Sequence, residues 1–516
     1  MSLVLTSGAS RWLGSVKRAD GQAREGERAE EGQQGGRLVG WLVGWFWARS
    51  RRPAICNVTL RKMGEGGILD RGELERAIRK QKKRKSSAMA VVAVIGAQWG
   101  DEGKGKIVDE LAARAHFVVR YQGGSNAGHR VVHEKGEFVF RLIPSGILYP
   151  QTSCIIGNGV VVDPRGLLEE MEELERQGVD ISRLYISERA HVVMPYHFLL
   201  DRLEEEARGE EKIGSTQRGI SPAYVDKHAR SGIRIADLLD VDTFRSKLAT
   251  ILQQKNRMIT QIYGQPPLSL EEIHGEYFRY GQRLRPYIAD TQAMLHEALF
   301  ERKTILLEGA QGALLDIDFG TYPFVTASST LAANAASGAG LPPRSIDRVI
   351  GVYKAYITRV GSGPMPTELF DDVGEEMRRR GHEYGTNTGR PRRCGWFDAV
   401  AGRFVAQLNG LDAMVITKLD VLDTFPTIKI CTAYRLYGKT IHSLPANLND
   451  LAACEPVYEE VEGWQCSTSG ISDYDDLPPA AKHYLRRLEE LLETPIAMIS
   501  VSPQRGRTIQ LQDVLA

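Results

Sequence analysis

From residue 91 onward the chain alternates short apolar runs with amphipathic stretches. Val91-Val92-Ala93-Val94-Ile95-Gly96 is apolar throughout and rich in β-branched residues, the pattern of a strand buried on both faces. A glycine-rich turn follows. Then residues 106–113 repeat apolar positions at helical spacing and predict a helix. Residues 117–121 read as the next strand, with further strands predicted over 153–156, 304–307, 349–356, 413–417 and 496–500. Helical stretches over 167–176 and 277–301 lie between them. This alternation predicts an α/β fold with a large, mostly parallel central β-sheet flanked by helices, of P-loop-NTPase-like character. No internal repeat is visible.

Residues 1–88 have a different texture. They mix Gly, Arg and Glu without helical or strand period and end in the basic run Arg79 to Lys85. That run reads either as a nucleic-acid or localisation patch or as a solvated tail; it lacks interleaved aromatics for base stacking, which favours the tail. The expected organisation is a disordered extension over 1–88 and a single catalytic domain over 89–516. The 516 residues are 42% hydrophobic with a formal net charge of +1, so no global field exists to grip nucleic acid or an anionic membrane. Anion binding must be local. No apolar run approaches the roughly 20 residues of a membrane span. The acidic residues Glu25, Glu27, Glu30 and Glu31 argue against a transit peptide. Six scattered cysteines form no zinc spacing and no disulfide scaffold, so the expected compartment is reducing and cytoplasmic.

Candidate chemistry begins in the turn after the first strand. Gly100-Asp101-Glu102-Gly103-Lys104-Gly105-Lys106 satisfies G-x-x-x-x-G-K, and strand–glycine turn–helix aims backbone N–H groups at phosphate. Ile107, however, stands where a P-loop has its magnesium-binding hydroxyl. Asp101 offers an anionic oxygen that could take over a metal or acid–base duty. Past the next strand, Gln122-Gly123-Gly124-Ser125-Asn126-Ala127-Gly128-His129 would open on the same sheet edge, bringing His129 beside Asp101. An Asp and a His in one phosphate site suggest a base and a stabilising acid. At another strand end, Thr417-Lys418-Leu419-Asp420 matches the guanine-reading pattern, with the carboxylate accepting guanine N–H groups; alone it is a four-letter match. Gly385 to Trp396 packs Arg390, Arg392 and Arg393 among glycines and hydroxyls, either an anion clamp or a solvated basic loop.

Together these segments resemble adenylosuccinate synthetase from about Met89 to the C-terminus. The resemblance also rests on Glu308-Gly309-Ala310-Gln311-Gly312, Asp316-Ile317-Asp318 and Gly320-Thr321-Tyr322-Pro323. It implies a magnesium-dependent ligase that joins L-aspartate to inosine monophosphate (IMP) at the expense of GTP, through 6-phosphoryl-IMP, the first committed step from IMP to AMP. By the same resemblance, Asp101 is the base at N1 of the hypoxanthine ring, His129 the stabilising acid, and Lys104 and Gln311 further catalytic residues. Asp101 and the Gly128 carbonyl would hold magnesium. GTP contacts are implied at Gly100, Asp101, Glu102, Gly103, Lys104, Gly105, Lys106, Gly128, His129, Arg130, Arg392, Lys418, Leu419, Asp420, Ser500, Val501 and Ser502. IMP contacts are implied at Asp101, Glu102, Gly103, Lys104, Asn126, Ala127, Gly128, His129, Thr216, Gln311, Thr326 and Arg390, with Arg230 reaching the IMP of the neighbouring subunit of a homodimer. Aspartate would meet Thr386, Asn387, Thr388, Gly389, Arg390, Pro391 and Arg392.

The chain departs from the family pattern at Arg130 (usually Thr), Gln217 (Gly), Asn387 (Thr) and Ser502 (Gly). These bear on affinity, not on the reaction class. No nucleic-acid or membrane partner is expected. A regulatory GTP-binding switch would use the same nucleotide, but it would need neither the Asp101–His129 pair nor a second, arginine-rich loop.

Overall fold

The computed structural model describes residues 90–133, 136–385 and 389–516. The expectation for residues 1–88 lies outside the described residues. A ten-stranded sheet forms the frame. Its strands in chain order are β1 (Val91–Gly96), β2 (Phe117–Arg120), β3 (Ser153–Ile156), β4 (Leu184–Ser187) and β5 (Ile288–Ala289). They continue with β6 (Ile305–Glu308), β7 (Arg348–Lys354), β8 (Ala413–Thr417), β9 (Ile496–Ser500) and β10 (Thr508–Gln510). In space the order is β10-β9-β8-β7-β1-β6-β2-β3-β4-β5. All pairs are parallel except β9 with β10. The predicted mostly parallel α/β sheet is therefore present.

Alternate residues of β1 face opposite layers, because side chains along a strand alternate sides. Val92 and Val94 pack with Ile107, Val108 and Leu111 of helix α1 (Lys104–Ala112). Val91 and Ala93 pack on the other face with Leu295, Ala298, Ala335 and Ala339. Burial on both faces is why the run is apolar throughout. Two further helices matter below: α2 (Ile220–Ala229) and α3 (Asp372–Gly381).

Several predicted boundaries shift and one prediction fails. Strand β2 ends at Arg120 rather than at 121, β6 is Ile305–Glu308 rather than 304–307, and the helix expected from 167 starts at Pro164. Helix α1 starts at Lys104, two residues before the expected start, and β7 ends at Lys354 rather than at 356. The helix expected over 277–301 is two helices, Leu270–Leu284 and Thr291–Phe300, separated by a 3-10 turn and the short edge strand β5. Pro286 lacks the N–H a helix interior needs, and Asp290 starts the second helix by accepting from the Ala293 N–H at 3.1 Å. A smaller sheet built on Thr427–Leu436 and Glu455–Glu462 was not predicted. Cys154, Cys394, Cys431, Cys454 and Cys466 are free thiols. Among the described residues no helix is long and apolar enough to cross a membrane.

Candidate active site

Five neighbouring strands, β8, β7, β1, β6 and β2, end at the same sheet edge and carry polar groups there. Such an edge of a parallel sheet is where ligands bind. The residues concerned are Thr417 and Lys418 after β8, Lys354 at the end of β7, the glycine-rich turn after β1, Glu308 at the end of β6 and Arg120 at the end of β2.

The turn runs from Gly96 into α1. Asp101 adopts φ 58°, between Gly100 and Gly103, each at φ 86°. Left-handed backbone is uncommon outside glycine, although Asp tolerates it. No side chain caps the start of α1, so its first N–H groups are open to an anion. Glu102 does not face outward. It is fully buried, and its Oε1 accepts from the N–H groups of Gln98 (3.1 Å) and Gly100 (2.8 Å) while Oε2 pairs with Lys104 Nζ at 2.5 Å. It is an internal strut of the turn. Lys106 donates to Ser500 Oγ (2.7 Å), the Ser502 carbonyl (2.8 Å) and the Arg507 carbonyl (3.0 Å), tying the turn to the loop after β9. Val501 in that loop is buried.

His129 lies against α1: a Cβ placed on Gly105 would sit 2.8 Å from His129 Cβ. The imidazole Nδ1 is 2.5 Å from Glu308 Oε1, and Glu308 also accepts from Arg120 (3.1 Å), the Ser145 N–H (2.9 Å) and Ser145 Oγ (2.7 Å). Burial would raise the Glu308 carboxyl, but the Arg120 charge and these hydrogen bonds outweigh it and hold it at about 2. Burial, helped by Arg120, lowers His129 to about 4 against the pull of Glu308. The imidazole is therefore neutral near pH 7 and donates Nδ1–H to the carboxylate. Glu308 enters the sequence reading only as the first residue of the Glu308-Gly309-Ala310-Gln311-Gly312 motif, with no chemical role assigned to it. Its signal was a lone carboxylate closing the apolar run Ile305-Leu306-Leu307.

Gln311, at φ 57°, donates from Nε2 to Asn126 Oδ1 at 3.0 Å, and its Oε1 is a buried acceptor without a protein partner. Ala127 is buried and Gly128 half-buried beside them. Thr326 is half-buried, its N–H donating to the Leu315 carbonyl at 2.9 Å. Arg130 points away along the hairpin, exposed and ion-paired with Glu137. Thr216 is exposed in the turn after Ser215, whose Oγ donates to Asp201 at 2.6 Å. Gln217 has φ 55°. A left-handed backbone explains why glycine is usual there, and Gln bears about 1 kcal/mol of strain in its place.

On the other side of the turn, Thr417 Oγ1 donates to the Glu102 carbonyl at 2.6 Å, so the guanine-reading segment is anchored to the phosphate turn. Leu419 is buried. Burial and the neighbouring Asp423 raise the Asp420 carboxyl to about 6. Lys418, at φ 57°, donates to the Gly381 carbonyl and to Glu383 Oε1, each at 2.7 Å. Arg392 joins the same centre: Nη1 donates to Glu383 Oε2 at 2.6 Å, and Nε lies 2.8 Å from Asp101 Oδ2. Glu383 and Lys354 are both fully buried, and neither was singled out in the sequence. Burial lowers Lys354 to about 8 despite Glu383. Lys354, Lys418 and Arg392 overcome the burial of Glu383 and hold its carboxyl well below the usual range.

The strand of chain returning to Arg392 pairs with the chain leaving α3, through Tyr384 with Pro391 and from the Gly385 N–H to the Arg390 carbonyl at 2.8 Å. Gly389 has φ 64°. Thr386, Asn387 and Thr388 lie outside the described residues. Arg230 caps α2 at φ 64° and lines a surface cavity of about 680 Å³ with Lys227, His228, Arg234 and Lys247. Among the described residues no hydrogen bond or ion pair joins it to the turn. Among the described residues no cluster of three or more His, Cys, Asp or Glu could cage a metal. An oxygen pair such as Asp101 and the Gly128 carbonyl still suits magnesium, which takes one or two carboxylates and completes its shell with phosphate and water.

Comparison with known proteins agrees with the fold. The family model for adenylosuccinate synthetase covers residues 93–509. An adenylosuccinate synthetase from Dehalococcoides mccartyi is 53% identical over 421 residues, 82% of this chain and 100% of that protein. One from Heliobacterium modesticaldum is 55% identical over 423 residues, 82% of this chain and 99% of its own length. The fully ligated adenylosuccinate synthetase from Plasmodium falciparum superposes with a TM-score of 0.78 at 38% identity, over 82% of this chain and 100% of that one. On this agreement of motif, sheet and sequence, the chain belongs to the adenylosuccinate synthetase family.

Proposed function

We infer that the chain is a GTP- and magnesium-dependent ligase of purine biosynthesis, which joins L-aspartate to IMP to give adenylosuccinate, GDP and phosphate. The observation that carries the assignment of roles is the placement, at one sheet edge, of Asp101 in the phosphate turn and of a carboxylate-oriented His129. O6 of the hypoxanthine lactam is a poor leaving group until it is phosphorylated. Asp101 removes the N1 proton, and O6 becomes nucleophilic toward the γ-phosphate of GTP. His129, held at Nδ1 by Glu308, takes up a proton at Nε2 when the anionic phosphates bind, and Nε2–H then donates to the reacting oxygen. Asn126 and the unpartnered Gln311 acceptor hold the purine, together with Thr216, Thr326 and Arg390. The aspartate amine then displaces phosphate, with the aspartate carboxylates gripped by Arg392 and the 386–391 loop.

Phosphoryl transfer depends on positioned positive charge. Lys104 and the open N–H groups of α1 supply part of it. Asp101 and the Gly128 carbonyl would hold magnesium, which when bound neutralises charge on the β- and γ-phosphates. Asp420 accepts the guanine N–H groups, and Lys418 lies along the base. Ser500 to Ser502 line the nucleotide's other side. The working unit is residues 89–516 as a homodimer, with Arg230 reaching across to the partner's IMP, and the cytoplasm is its compartment.

The test is a coupled assay for adenylosuccinate. Phosphate release is expected only when IMP, GTP and aspartate are all present. Release from GTP alone at a comparable rate refutes the reading.

A further inference from the structure

Glu383 is a fully buried carboxylate that the mechanism above does not use. It follows α3, after His382 at φ 48°, and its backbone is fixed on both sides. The N–H donates to the Arg378 carbonyl and the carbonyl accepts from the Arg392 N–H, each at 2.9 Å. Its two oxygens divide their partners. Oε1 accepts from Lys418 at 2.7 Å and from the Tyr356 hydroxyl, and Oε2 accepts from Arg392 Nη1 at 2.6 Å. Lys354 Nζ straddles both oxygens at 3.0 Å and is itself pinned by Thr358 Oγ1 at 2.5 Å.

Three cations thus converge on one carboxylate in a place shut off from solvent. As a stabilising device this is poor, since buried charges seldom recover their desolvation cost, least of all when cations outnumber anions. The surplus has a different use. Lys418 remains partly exposed on the guanine side, and Arg392 extends from the same carboxylate to Asp101 at 2.8 Å. One oxygen therefore sets the place of the guanine-side lysine, and the other sets the place of the aspartate-loop arginine.

We propose that Glu383 is a positioning residue of the ligase reaction, joining Lys418 and Arg392 in one network so that GTP and aspartate both depend on a carboxylate that neither can reach. The proposal rests on the ligase reading given above. It adds a coupling. Displacing the carboxylate frees Lys418 from one oxygen and Arg392 from the other, and it leaves Lys354 without a counter-charge. Displacing Lys418 alone would affect GTP alone; loss of the shared carboxylate affects aspartate as well.

The experiment is steady-state kinetics of adenylosuccinate formation by the full chain and by Glu383→Gln, with thermal unfolding measured alongside. The amide keeps the shape and removes the charge. KM for GTP and KM for aspartate are expected to rise together, each by at least about tenfold, as for loss of a charged hydrogen bond. KM for IMP should change less than either of these, since Glu383 reaches the IMP residue Asp101 only indirectly, through Arg392. A folded Glu383→Gln protein that changes neither KM, or only one of them, overturns the proposal, and a lowered melting temperature alone marks a structural role. Should Glu383→Gln fail to fold, Tyr356→Phe decides on the same criterion. It removes one hydrogen bond from Glu383 and no charge, so both KM values should rise about two- to threefold. Wild-type protein that forms no adenylosuccinate overturns the ligase reading and this proposal with it; normal wild-type turnover with unchanged variant KM values overturns this proposal alone.

Discussion

Asp101 is held by its turn in a left-handed backbone and paired through its carboxylate with Arg392. If Asp101 serves as base and metal ligand, as proposed, its amide cannot replace it. Asp101→Asn should lower kcat by at least about a hundredfold, the usual worth of a positioned base, while the fold stays intact. Near-normal kcat in that variant would remove the base role from this residue. Asp420 supports a pH prediction. Burial and Asp423 raise its carboxyl to about 6, and only the ionised form can accept both guanine N–H groups. Binding GTP therefore favours the ionised form, and affinity is full above pH 6 and lost as pH falls through it. KM for GTP should rise about tenfold per unit below that point, because one proton must leave before guanine binds. Substituting Asp420→Asn should abolish the pH dependence as well as the affinity. A GTP KM that stays flat between pH 7 and 5 in the wild-type chain would separate Asp420 from guanine recognition.

At the scale of elements, the close contact between α1 and His129 is a fit with no slack. Gly105→Ala would drive a methyl to 2.8 Å from His129 Cβ, which requires either the helix or the imidazole to move. Overpacking of this kind costs about 1–3 kcal/mol. Both stability and kcat should fall; a variant with wild-type kcat would show that His129 tolerates displacement. The strands β1, β3, β8 and β9 were legible in sequence to the residue, because burial on both faces leaves an unbroken apolar run. The glycine turn, His129 and the Thr417-Lys418-Leu419-Asp420 segment were legible for a related reason: each immediately follows such a run or the strand beside it. Other features were not. The break at Pro286 was submerged in a long helical period, and the Thr427–Leu436 strand mixes polar and apolar residues in a half-exposed sheet. Glu308, Glu383 and Lys354 escaped because each carries its meaning in partners 179, 35 and 29 residues distant. A local pattern has no access to such pairings.

For the whole molecule, the catalytic edge draws on strands that span almost the entire described chain, from the turn after β1 to the loop after β9. Arg230 stands apart from that edge, on a basic surface cavity. If it completes a neighbour's IMP site, Arg230→Ala should raise KM for IMP by at least about tenfold. Wild-type specific activity should also fall as the protein is diluted through its dimer dissociation constant. Activity independent of concentration down to the monomer would dismiss the shared site. The same reasoning decides what residues 1–88 contribute. Among the described residues, partners that orient Asp101, His129, Gln311, Lys418 and Arg392 lie within 90–516. Relatives matched over 100% of their length correspond to 82% of this chain. A chain shortened to begin at Met89, which spans what those relatives span, should therefore keep kcat and all three KM values within about twofold. Side-by-side kinetics of the two chains measure this directly. A loss beyond tenfold in any parameter would give the first 88 residues a part in the enzyme, and the parameter affected would say which substrate they serve.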